Sequence, residues 1–206
     1  MRYLYKDKNS SIINSGLIYS TNSKKNSELK KLILREQKGF CAYSEKYICK
    51  IDSCDIEHFD PRKKYTENDN YYNWYIVISW INQTKAKKIG KFLPILEPNS
   101  EHIMNRIIIK DNLFIPKDNN DIEAKNLIDF LGFNSSGLYE ERHNHLKRIK
   151  KIKLLCLNNT EFFEVIKDDP RNFSYITYLE SELGINLENL RDESLKNDNN
   201  PCNNKI

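Results

Sequence analysis

Residues 54–65 read CDIEHFDPRKKY, a glutamate directly before a histidine with a basic run close behind. Only four histidines occur in the chain, so His58, lying between Glu57 and Phe59, is the residue to explain. Asn73 follows it by 15 positions, Asn82 follows Asn73 by nine, and Lys85 lies three further on. In a strand, Glu57 and His58 would point to opposite faces, so one can hold a metal while the other addresses a water. At the start of a helix, Asn82 and Lys85 would project from the same side. A hairpin folded onto that helix would gather one carboxylate, one amide oxygen and one imidazole around a phosphate. Oxygen donors with remaining waters suit a hard cation, Mg²⁺ or Mn²⁺. A Glu-His pair on a strand is also a common solvated surface pair, and asparagine is frequent enough here to match spacings by chance. The residues alone leave both readings open.

The elements that must position these residues follow from pattern. Residues 27–40, SELKKLILREQKGF, carry apolar side chains at 29, 32, 33 and 34 with Gly39 beyond, which predicts an amphipathic helix closed by glycine. Short aromatic and β-branched runs between residues 41 and 59 predict a hairpin or two strand fragments. The polar turn YTENDNYYN precedes WYIVISWI, an apolar β-branched run, and NQTKAKKIG reads as a helical turn or two ending at Gly90. Further on, RIIIK and NLFI predict two short strands with Asp111-Asn112 at the turn. IEAKNLIDFLGF predicts a helix stopping at Gly132, and NSSGLYEERHNHLKRIKKIKLLCL a longer one. A last helix is expected at TYLESELG, followed by an Asn-rich disordered tail from residue 194.

With 206 residues and 39% hydrophobic content, the chain can build a real core. No run of about 18 apolar residues is present, and the first residues, MRYLYKDKNSS, lack the apolar stretch of a signal peptide, so a cytoplasmic protein with no membrane partner is expected. Five irregularly spaced cysteines, Cys41, Cys49, Cys54, Cys156 and Cys202, argue for reduced thiols. Residues 1–92 hold 18 Lys and Arg against 10 Asp and Glu, a net of +8, whereas residues 93–206 hold 15 against 19, a net of −4. A basic excess around the candidate site suits a polyanion, with Arg62, Lys63, Lys64, Lys85 and Lys88 as candidate contacts. The alternative is a chain-wide richness in lysine that would scatter cations over any surface.

The sequence REQKGFCAYSEKYI, CDIEHFDPRKKY and NWYIVISWINQTK resembles an HNH endonuclease group usually reading EQ-x-x-x-CAYCE, DIEHFRPK and NL-x-x-x-C-x-x-CN-x-x-K. The later EAKNLIDFLGFNSSGLYEERHNHLKRI is similar to that group's helical region, so the resemblance covers roughly residues 28–155. Members include the nuclease subunits of Septu and retron-associated anti-phage systems, encoded beside an SMC-like ATPase, which implies such an ATPase as a partner.

The resemblance implies an α+β fold. A ββα-metal core with an N-terminal helix would occupy residues 1–92, and a mainly helical extension packed on it residues 93–193. It also implies metal-dependent phosphodiester hydrolysis of nucleic acid by the nuclease effector of a bacterial defence system, with DNA favoured and the choice between DNA and RNA left open by the sequence. His58 matches the general base, Glu57 and Asn82 match metal-binding positions, Asn73 matches the position that orients the base and its loop, and Lys85 matches a phosphate contact. A single divalent cation would suffice.

The group usually holds its core with a four-cysteine zinc site, whereas the corresponding positions here are Cys41, Ser44, Ile78 and Ile81. Isoleucine cannot ligate zinc and one thiolate cannot build a tetrahedral site, so structural zinc is not expected and these side chains should extend the core. A substitute cluster of Cys41, Cys49, Cys54 and His58 fits no common knuckle spacing and would consume the base. The alternative function is a catalytically decayed scaffold serving as a nucleic-acid-binding or ATPase-interaction subunit. Retention of Glu57, His58, Asn73 and Asn82 together argues against decay. His102, His143 and His145 have no recognisable partners and are expected to be exposed or without a role.

Overall fold

A computed structural model of the chain describes residues 2–98 and 103–197. Its helices are α1 (Ser11–Asn14), α2 (Ser27–Glu36), α3 (Ser79–Thr84), α4 (Ile103–Arg106), α5 (Ile122–Leu131), α6 (Ser136–Leu155), α7 (Asn159–Ile166), α8 (Ile176–Leu183) and α9 (Glu188–Asn197). Its strands β1 (Cys54–His58) and β2 (Trp74–Ile78) form one antiparallel pair, and β3 (Ile107–Lys110) and β4 (Leu113–Pro116) form another. The fold is therefore a mixture of helix and small two-stranded sheets, as the α+β reading requires.

α2 buries Leu29, Ile33 and Leu34 and ends where Lys38 (φ 54°) and Gly39 (φ 80°) enter the left-handed region. Just past it, the Gln37 side chain docks on the open edge of β2. Its amide oxygen accepts from the Ile76 N–H (2.8 Å), and its Nε2 donates to the Ile76 carbonyl (2.9 Å) and the Phe40 carbonyl (2.8 Å). One buried amide thus satisfies the Ile76 N–H and shares the Ile76 carbonyl with the Ala42 N–H (3.0 Å).

β1 and β2 pair in register, with Glu57 opposite Tyr75 and His58 opposite Trp74. Every residue of β2 is buried, because helices cover it, so its sequence is a continuous apolar run instead of an alternation. α3 starts at once after β2, and Ile81 anchors it fully buried in the core. β3 and β4 are joined by Asp111 (φ 51°) and Asn112 (φ 65°), the two consecutive positive φ values of a type I′ turn.

α5 is capped by Asp121, whose Oδ1 accepts from the Ala124 N–H at 3.0 Å, and is ended by Gly132 at φ 67°. A Cβ at Gly132 would lie 3.1 Å from the Thr84 carbonyl oxygen, so glycine lets the end of α5 abut the end of α3. One apolar core runs through both halves of the chain, from Leu4 and Leu29 through β2 to Phe130, Phe162 and Leu179. Glu45, itself buried, ties the halves together. It accepts from the backbone N–H of Arg2 (2.7 Å) and from the N–H and hydroxyl of Thr177 (3.0 and 2.8 Å).

Besides the short α1 and α4, two helices go beyond the sequence expectation. α7 forms over residues for which no element was expected, held by Phe162 and Ile166. α9 extends to Asn197 through the first residues of the expected tail. It does so because Leu187, Arg191 and Ser194 are buried and Arg191 pairs with Glu188 and Asp192 and reaches the Tyr3 hydroxyl. Tail residues 198–206 and His102 lie outside the described residues. Among the described residues no helix is long and apolar enough to cross a membrane.

Candidate functional site

The last residues of β1 send their side chains to different surroundings. His58 is 3% exposed and its Nε2 lies 3.0 and 3.2 Å from the two oxygens of Asp69. The same carboxylate accepts from the Tyr65 N–H (2.8 Å) and the Trp74 indole N–H. With Asp69 acting as an acceptor throughout, Nε2 carries the proton and Nδ1 is left with the basic lone pair. Burial pulls the His58 pKa below its ordinary value against the raising effect of Asp69, which favours the neutral ring. Tyr19 stands edge-on to the imidazole at 4.5 Å, and the Lys64 ammonium lies 5.1 Å from the rings of both Tyr19 and Tyr65. On the far side of Trp74, buried Lys6 donates to the Trp74 carbonyl and sits 4.4 Å from the rings of Tyr71 and Tyr75.

Asn73 is buried and closes the neck of the long β1–β2 connection. Its Oδ1 accepts from the Asp60 N–H at 2.7 Å, its Nδ2 donates to the Asp60 carbonyl at 3.0 Å, and its own carbonyl accepts from Phe59 at 2.9 Å. Asn73 therefore positions the backbone that carries His58 and touches no solvent-facing surface. Asp60 caps the short 3₁₀ turn that follows, accepting from the Arg62 N–H at 3.0 Å and taking the Arg62 guanidinium side-on. The guanidinium beside it holds the Asp60 carboxyl below the usual range.

Glu57 opens instead into a cavity of about 300 Å³ that Asn82, Gln83, Lys85 and Lys87 also line. The expected meeting of a carboxylate and an amide is present there, but the His58 ring does not line this cavity. Lys85 lies differently from the expectation of a solvent-facing phosphate contact. Its side chain is 4% exposed, and its ammonium is bonded to the Glu57 carboxylate and donates to the His58 carbonyl at 2.8 Å. Burial lowers the Lys85 pKa and Glu57 raises it in opposition. Among the described residues no three His, Cys, Asp or Glu side chains converge as a metal cage. The oxygen donors lining the cavity are the Glu57 carboxylate and the Asn82 and Gln83 amides, and the carboxylate already takes one cation, the Lys85 ammonium. An all-oxygen set of this kind fits a hard divalent ion that keeps several waters.

The four positions where the resembling group carries cysteines come to lie in the core. Cys41, Ile78 and Ile81 are buried in the apolar cluster, and Ser44 is nearly so. Burial pushes the Cys41 thiol up against hydrogen bonds from Ser44 and the backbone at Ile78, which places those three positions side by side.

Of the remaining candidates, Arg62 is exposed with its charge already engaged by Asp60, and Lys63 and Lys88 are exposed. His143 and His145 are not the exposed residues expected. His143 is half-buried against Tyr139, and His145 bonds the Asn172 carbonyl and Arg148 at 3.2 Å each because the segment before α8 folds over α6. Burial brings the His145 pKa down to about 4. Asp69 is the residue that sequence reasoning missed. It lies in a polar turn beside Glu67, 11 positions from His58, and only the through-space meeting with His58 and Trp74 distinguishes it.

No protein-family model matches the chain, and neither a curated protein nor a solved structure matches it.

Proposed function

We propose that this chain is a metal-dependent endonuclease of the HNH type that hydrolyses phosphodiester bonds in nucleic acid, DNA in preference to RNA. One observation carries the reading. Two adjacent residues of β1 serve separate chemical settings, with His58 held by Asp69 as an oriented base and Glu57 opening into a separate cavity with Asn82. The hairpin running straight into α3, and the clustering of Cys41, Ser44 and Ile78, support a ββα core of that type in which apolar packing replaces zinc.

In this mechanism Nδ1 of His58 takes the proton from the attacking water while Asp69 stabilises the resulting imidazolium through Nε2. Asn73 holds the loop so that the imidazole keeps its place, and it is a positioning residue. Glu57 and Asn82 would hold the cation, which supplies stabilisation of charge on the scissile phosphate and the leaving oxygen. Lys64, Lys63 and Lys88 offer charge to the polyanion, and the substrate gains access to His58 by displacing Tyr19 from its edge-on position. An effector role in bacterial anti-phage defence, in the cytoplasm and alongside an SMC-like ATPase, is part of the same proposal and rests on the sequence resemblance.

Incubation of the purified chain with plasmid and single-stranded RNA, in Mg²⁺, Mn²⁺ or chelator, tests the activity. Metal-dependent nicking that is lost in His58→Ala supports it. No cleavage by wild-type protein, alone or with its ATPase partner, favours the decayed scaffold.

A further inference from the structure

Resting on that reading of Glu57 and Asn82, we propose that Lys85 is the resident counter-ion of the cation seat. Its ammonium occupies the Glu57 carboxylate until a divalent ion displaces it, so the free chain holds its metal weakly. Lys85 follows α3 directly, and its backbone is pinned by the bond from the Ala86 N–H to the Phe130 carbonyl (2.9 Å) and by the close approach of Gly132 to Thr84. From that fixed root the side chain lines the cavity, with its ammonium 5.1 Å from the Phe130 ring. There it engages the Glu57 carboxylate, which lines the cavity, and also donates to the His58 carbonyl.

A divalent ion on the same carboxylate would stand within a few ångströms of this ammonium. Like charges at that range in a half-buried site repel strongly. The ammonium also uses acceptor capacity that a hard cation needs. Entry of the ion therefore requires Lys85 to leave, and a buried ammonium stripped of its partner demands a new anion. The substrate phosphate arriving at the same cavity is such an anion. Metal and polyanion binding are then reciprocally coupled: each favours the displaced position of Lys85, and each raises the affinity for the other. A nuclease so built stays poorly loaded until nucleic acid is present.

Electron paramagnetic resonance titration of Mn²⁺ into the full chain tests the inference without relying on cleavage. Lys85→Gln keeps a donor for the His58 carbonyl but removes the charge, and it should bind Mn²⁺ at least about tenfold more tightly than wild type. Lys85→Arg keeps the charge and should bind as weakly as wild type. Glu57→Gln should lower binding in every background. Binding in Lys85→Gln that depends on Glu57 but is no tighter than wild type would overturn the role of Lys85 and leave the cation seat standing. Binding that ignores Glu57 would overturn both. If Lys85→Gln is unfolded without metal, it should refold on Mn²⁺ at concentrations below the wild-type Kd, and failure to do so counts against the inference.

Discussion

The two hairpins of this chain are built to opposite designs. β3 and β4 are joined by two residues, and the turn is held by backbone conformation at Asp111 and Asn112. β1 and β2 are joined by residues 59–73, and that connection is held by side chains: Asn73 across its neck, Asp60 at its first turn and Asp69 against His58. A tight turn fixes register and leaves nothing over for chemistry. The long connection costs more conformational entropy to order, and it supplies the Asp69 carboxylate and the Asn73 amide where the strand ends. Polar groups buried in such a loop are all paired with one another, so removing one leaves another unsatisfied.

The contrast can be broken most strongly at His58. His58→Ala should lower cleavage by about 10²–10⁴-fold while Mn²⁺ binding persists, measured by plasmid nicking and by resonance titration. Asp69→Asn should lower the rate by about 10²-fold or more through the tautomer. An amide that donates to Nε2 moves the ring proton to Nδ1 and blocks the base, and ¹⁵N spectra of the imidazole would record that exchange. A wild-type rate in either variant would remove His58 from the mechanism.

The next effect lies on α6, which also backs the second hairpin. Its Arg142 donates to the Asn112 carbonyl at 3.0 Å, and its His145 has a pKa lowered by burial to about 4. The folded state favours neutral His145, so the stability it permits is fully present above the unfolded value near 6.5 and is lost as pH falls from there to about 4. The loss should approach roughly 3 kcal/mol, and urea midpoints at pH 7 and 4.5 should show it in wild type and much less in His145→Gln.

Asn73→Ala should cost about 2 kcal/mol by leaving the Asp60 N–H and carbonyl unpaired in a buried neck. It should also lower the rate, because the loop no longer fixes His58. The smallest effect belongs to the second turn. Asn112→Ala loses the bond from the Tyr178 hydroxyl and strains a positive φ, so about 1–2 kcal/mol of stability should go with cleavage unchanged. Equal damage to activity from Asn73→Ala and Asn112→Ala would erase the difference between the hairpins.

Patterns local in sequence were sufficient for the glycine-ended helices at 39 and 132, the β3–β4 pair with its Asp111-Asn112 turn and the adjacency of Glu57 and His58. The reason is that capping, turn chemistry and side-chain alternation act over a few residues. The helix α9 was not legible, because its Asn-rich and charged composition hides Arg191 and Ser194, which burial against the N-terminal segment makes structural. The pairing of His58 with Asp69, the docking of Gln37 on β2, the burial of His145 and the capture of Lys85 by Glu57 were decided by tertiary structure alone. Each depends on a low-dielectric environment made by distant segments. Burial there turns an ordinary acid, amide or lysine into a partner that must be satisfied, and no spacing in the chain encodes which partner that will be.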